Sequence, residues 1–69
     1  MIFKRIKDLR EDHDLTQKQV ADILKIMQPS YNRYERGEQD IPVKHVITLA
    51  IFYKVSTDYI LGLSNKKDR

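Results

Sequence analysis

Residues 16–37, TQKQVADILKIMQPSYNRYERG, read as a helix, a tight turn and a second helix. Thr16 can accept a hydrogen bond from the Gln19 amide while the Gln19 side chain reaches back to Thr16, the reciprocal arrangement of a capping box. Leu15 and Val20 stand at the staple positions on either side of it. The helix that follows buries Val20, Ala21 and Leu24, and the small Ala21 lets another helix approach closely. Lys25, Ile26 and Met27 are too few for anything but an interhelix turn, with Ile26 as its apolar plug. Pro29 belongs in a first turn, where its missing amide hydrogen costs nothing. The second helix of the pair therefore starts near Gln28 or Pro29. It stops at Gly37, which takes the left-handed conformation of a helix end. Tyr31 and Tyr34 share one face by their three-residue spacing. Gln28, Asn32, Arg33 and Arg36 fall on the other side, with no apolar residue covering them.

Outward from this stretch, Ile2, Ile6 and Leu9 recur at helical spacing among charged residues. They predict an amphipathic first helix over 2–12, with Phe3 off its stripe, either capping the core's edge or meeting a partner. His13 and Asp14 read as its exit. After a loop at 38–41, Pro42 opens a fourth helix as a first-turn proline. Its buried stripe is Val43, Val46, Leu49, Ala50 and Tyr53. Ile47, Ile51 and Phe52 widen that stripe to most of the circumference, the mark of a central helix or of one that meets a partner. Ser56 caps a short fifth helix with Asp58 in its first turn, Val55 and Ile60 form a second staple, and Gly62 ends it. SNKKDR, residues 64–69, is a polar tail expected to fray. The expectation is an all-α, compact five-helix domain over 1–63, followed by that tail.

A chain of 69 residues makes one domain with a modest core. It has no cysteine, which excludes disulfides and thiolate metal sites. His13 and His45 have no further ligands spaced to join them, so neither a metal nor a cofactor is expected. No nucleophile stands beside a base, no paired carboxylates share a face and no glycine-rich loop could cradle a phosphate. An enzyme is therefore not expected. No apolar run approaches the ~18 residues of a membrane span, and the N-terminus lacks the apolar core of a signal peptide. A cytoplasmic protein is the default. The net charge of +3 permits nucleic acid as a partner without demanding it.

The order LTQKQVA, a short turn, YNRYERG, and a helix ending before VSTDYILGL resembles the phage repressor and Cro type of helix-turn-helix domain, the XRE family of bacterial regulators. The resemblance spans residues 2–63. It implies a lambda-repressor-like fold in which the first motif helix crosses the DNA backbone and the second enters the major groove. It also implies residue roles. Gln17 contacts a phosphate and steadies the recognition helix. Gln28, Pro29, Asn32 and Arg33 face base edges, while Arg36 lies toward a phosphate; beside these matches, Lys25 and Ser30 are candidate phosphate contacts, with a base edge the alternative for Lys25. Arg10 and Glu35 form a buried or half-buried ion pair tying the first helix to the recognition helix. The partners implied are double-stranded DNA with a dyad-symmetric operator and a second copy of the chain, meeting through Ile51, Phe52, Leu61 and Leu63. The same apolar surface would suit a protein-interaction module such as an antitoxin.

Plainer readings stand beside these. Arg33 and Arg36 by spacing alone make an ordinary solvated helix face. Ser30 either bonds a phosphate or closes the first turn, and Asn32 either reads adenine or caps. The sequence also departs from the family pattern. Lys25 stands where glycine is frequent, so either it takes a less favoured turn conformation or the turn differs. Met27 stands where a capping Ser or Thr is frequent and cannot cap. Pro29 disfavours helical dihedrals at Gln28, which points to Gln28 as the N-cap with its side chain drawn to the backbone. Glu38 and Asp40 occupy a loop that is often basic, which weakens affinity or pulls the loop from the DNA.

Overall fold

The computed structural model describes residues 1–67, which form five helices and no strand. These are α1 (Lys4–Asp12), α2 (Gln17–Leu24), α3 (Gln28–Arg36), α4 (Val43–Tyr53) and α5 (Thr57–Leu61). Local chemistry sets their ends. The capping box is complete: the Gln19 amide donates to Thr16 Oγ1 at 3.1 Å, and the Thr16 amide donates to Gln19 Oε1 at 2.8 Å. Ser56 caps α5 by accepting from the Tyr59 amide at 2.9 Å. Helices α2 to α5 each stop at a left-handed residue, Lys25, Gly37, Lys54 and Gly62 in turn. At Gly37 the requirement is double, because the backbone has φ +73° and a Cβ would run into the Ile2 side chain.

All five helices contribute to one core. One buried cluster holds Ile6 and Leu9 of α1, Val20, Ala21 and Leu24 of α2, Tyr31 and Tyr34 of α3, Val46, Leu49, Ala50 and Tyr53 of α4, and Ile60 of α5. Val55 is buried as the second staple predicts. Arg5 ties α1 to the far end of the chain. Its guanidinium lies 4.1 Å from the Tyr59 ring centre and donates to the Tyr59 carbonyl at 2.8 Å.

Several expectations need correction. Helix α1 begins at Lys4, and Phe3, the residue before it, is non-helical at φ −103°, ψ 89°. That backbone turns Ile2 out to solvent, against the periodic reading, while Phe3 packs at the core's edge, one of the two places expected for it. Pro42 precedes α4 as its N-cap (ψ 149°) instead of lying in the first turn. Val43 consequently starts the helix beyond the core's edge and is 73% exposed, while Ile41 from the loop is buried. Ile47, Ile51 and Phe52 do not make α4 a central helix, since all three are exposed. The tail expected to fray is tied down over 64–67. Arg5 donates to the Ser64 carbonyl and to Asn65 Oδ1, and the Ser56 amide donates to the Lys67 carbonyl at 2.8 Å. Asp68 and Arg69 lie outside the described residues.

Candidate nucleic-acid interface

The turn between α2 and α3 takes its shape from Lys25, which adopts φ 59°, ψ 42°. The Ile26 amide then donates back to the Ala21 carbonyl at 3.0 Å, and the Ile26 side chain packs against the core. A left-handed non-glycine residue costs about 1–2 kcal/mol. Lys25→Gly should therefore raise stability by about 0.5–1 kcal/mol once glycine's extra unfolded-state freedom is subtracted, measured by denaturant unfolding.

Met27 is the N-cap of α3 and makes no side-chain cap. Gln28 is not the cap: it is the first helical residue despite the proline that follows. Its amide is also not drawn to the backbone, because it donates to Gln17 Oε1 at 2.7 Å. The buried face of α3 is Tyr31 and Tyr34, whose rings meet edge-on at 6.5 Å. Gln28, Pro29, Arg33 and Arg36 are exposed on the outer side, with Ser30 and Asn32 half-buried between the two. Met27, which the sequence marks only as a poor cap, stands 74% exposed at the leading end of this face.

What fixes α3 is a polar lattice along its inner edge. Arg10 Nε and Nη2 donate to Glu35 Oε2 and Oε1 at 2.7 and 3.2 Å, and Arg10 Nη1 donates to the Leu15 carbonyl at 2.9 Å. The two side chains are only 13% and 4% exposed. Gln17 Nε2 adds donations to Glu35 Oε1 at 3.0 Å and Asn32 Oδ1 at 2.9 Å. One carboxylate therefore joins α1, α2 and α3. Burial alone would push the Glu35 carboxyl up, but the hydrogen bonds from Arg10, with help from Gln17, hold it below its ordinary range. Burial raises the Tyr31 hydroxyl beside it.

A carboxyl whose pKa is lower folded than unfolded stabilises the fold above the ordinary carboxylate range. That stabilisation is lost as pH falls through the folded value. His45 acts in the same direction, since burial and then Lys44 push its pKa down and folding must keep it neutral. The melting temperature is expected to decline shallowly below about pH 6.5 and more steeply below about pH 4. Glu35→Gln should flatten the second limb.

The other sequence-derived positions fall as follows. Lys25 is exposed at the turn. Arg36 is engaged by Glu38 at 2.9 Å, so the acidic loop residue acts on a phosphate candidate directly. Ile51, Phe52 and Leu63 are exposed, whereas Leu61 is drawn onto the core. The bonds from Gln17 to Gln28, Asn32 and Glu35 are how it steadies α3, as the resemblance implies; which α3 side chains it would meet was not legible, because no sequence pattern reports a contact across a turn.

A capped α2, a left-handed tight turn, and an α3 held by its tyrosine face with its polar face outward define a helix-turn-helix of the phage-repressor type. The helix-turn-helix family model matches residues 6–60, and the chain belongs to that family. It is 40% identical over 68 residues to the uncharacterized HTH-type transcriptional regulator YobD of Bacillus subtilis, covering 99% of this chain and 61% of that protein. It is 38% identical to the cryptic phage CTXphi transcriptional repressor RstR of Vibrio cholerae, covering 80% and 50% respectively. It is also 39% identical to the antitoxin PezA of Streptococcus pneumoniae, covering 90% of this chain and 39% of that one. The chain thus spans between about two fifths and three fifths of the length of these relatives. No solved structure matches it. No helix among the described residues is long and apolar enough to cross a membrane.

Proposed function

We propose that this domain binds double-stranded DNA in a sequence-specific manner and regulates transcription, as a repressor, by laying α3 in the major groove. The observation that carries the reading is Arg33, exposed on the outer face of a helix whose inner edge is locked to α1 and α2. Affinity has two sources. Lys25, Arg36, Ser30 and the Gln17 end of α2 meet phosphates, a salt-dependent and sequence-independent attraction. Arg33, with Gln28, Asn32 and Pro29, faces base edges, where a bidentate arginine–guanine contact discriminates by about 1–3 kcal/mol. The domain needs no cofactor and performs no chemistry on its partner, and it works in the cytoplasm. Exposed Ile51, Phe52 and Leu63 support pairing of two copies. Such a pair would set two recognition helices about one helical turn, ~34 Å, apart on a dyad-symmetric site. The protein-interaction alternative draws on the same apolar residues and one relative's name, and is the weaker reading.

Selection of bound duplexes from a random pool at two salt concentrations tests this. A dyad-symmetric site that persists at the higher salt is the expected result. Weak binding that salt erases for every sequence would leave charge as the sole attraction and sink the proposal. Because Glu38 competes with phosphate for Arg36, Glu38→Gln should strengthen binding to all duplexes alike and steepen its salt dependence by up to about one unit of slope, read by titration at several salt concentrations.

A further inference from the structure

The donor and acceptor directions along the inner edge of α3 are forced from one end. Arg10 can only donate, and an ionised carboxylate can only accept. The Gln17 atom 3.0 Å from Glu35 Oε1 must therefore be its nitrogen. The second hydrogen of that nitrogen goes to the Asn32 side chain at 2.9 Å, so the Asn32 atom there must be its oxygen. Gln17 then has only its oxygen left, and the Gln28 atom 2.7 Å away must be a nitrogen. Both α3 amides thus inherit their orientation from a carboxylate that sits on the buried side of the helix.

The consequence falls on Asn32. A free asparagine can pair with adenine through both ends of its amide, accepting from N6 and donating to N7. Here its oxygen already accepts from Gln17, which turns that end toward α2 and leaves one lone pair, while both hydrogens of its amino group stay free for the groove. We propose that Glu35, although it touches no base, is a positioning residue that sets base preference opposite Asn32 by fixing the polarity of the Gln17 and Asn32 amides. Asn32 meets the groove as a donor and selects guanine, whose major-groove edge carries two acceptors, against cytosine, whose edge offers a donor. This rests on the base-reading role of α3 proposed above.

The experiment is the same duplex selection run with the wild type, Asn32→Asp and Glu35→Gln, with circular dichroism melts confirming that each variant is folded. The wild type should enrich guanine over cytosine at one position of each half-site by ~10-fold. Asn32→Asp keeps an oxygen for Gln17 and presents another to the groove, so that one position should switch to cytosine while the others hold. Glu35→Gln can offer either end of its amide to Gln17, so guanine preference there should spread over several bases without change elsewhere. A merely structural Glu35 would instead lower affinity for all sequences in proportion. Folded Glu35→Gln with an unaltered base profile, or Asn32→Asp losing affinity with no switch, would overturn the proposal. If Glu35→Gln fails to fold, Asn32→Asp decides, since it leaves the ion pair in place. A wild type that enriches no site refutes base reading itself, and this inference falls with it. A wild-type site with no guanine preference opposite Asn32 refutes only the inference.

Discussion

Glu35→Ala should lower the thermal midpoint by ~15 °C at neutral pH. The change removes the common acceptor of Arg10 and Gln17 and leaves the Arg10 guanidinium, 13% exposed, with only the Leu15 carbonyl. Removing one partner of a buried pair costs about 3–5 kcal/mol, largely through the charge left behind. In a domain of this size each kcal/mol moves the midpoint by about 4–8 °C, so the lower end of that cost gives the figure. The loss is a large share of the total, because a small domain holds only about 0.05–0.15 kcal/mol per residue. The double variant Arg10→Met, Glu35→Leu should melt closer to the wild type than Glu35→Ala does, since it leaves no buried charge unpaired. A circular dichroism melt distinguishes these outcomes. Midpoints within ~2 °C of wild type for both Glu35→Ala and Arg10→Ala, well short of the shift that principle gives, would mean that the pair does not hold α3.

Arg33→Ala should remove the preference at one base position per half-site, by roughly 5- to 150-fold, while leaving the melting curve where it was. The two halves of that expectation have separate causes. The side chain is exposed and takes part in none of the hydrogen bonds that fix α3, so its removal leaves no buried group unsatisfied. On DNA, by contrast, a guanidinium supplies two parallel donors to one base edge, and alanine supplies none. Quantitative binding to the selected site and to its single-base variants reads the effect. If Arg33→Ala keeps the base preferences and loses affinity uniformly, Arg33 is a phosphate contact and the reading face lies elsewhere on α3.

Interactions within a few residues of each other were legible in the chain. Thr16 with Gln19, Ser56 with the Tyr59 amide, Gly37 at its helix end and the Tyr31–Tyr34 face all follow from spacing of four or fewer, which local geometry governs. The order of helices follows from them. The Arg10–Glu35 pair spans 25 residues and was reached through family resemblance, because no local rule joins those positions. Periodicity misassigned Ile2 and Val43 because it counts past the point where a helix starts. Where α1 and α4 begin relative to the core depends on what packs against their first turns.

The sequence by itself determined the order of the helices, the Thr16 and Ser56 caps and the outward polar face of α3, since each rests on interactions closed within one or two turns of chain. Tertiary structure alone decided which apolar residues of α4 stay exposed, and that Glu38 occupies Arg36. It alone decided that Gln17 bridges Glu35, Asn32 and Gln28. Those outcomes depend on which surfaces meet when the helices pack and on which end of a buried carboxylate or amide is left unpaired, and packing fixes both only after the helices are in place.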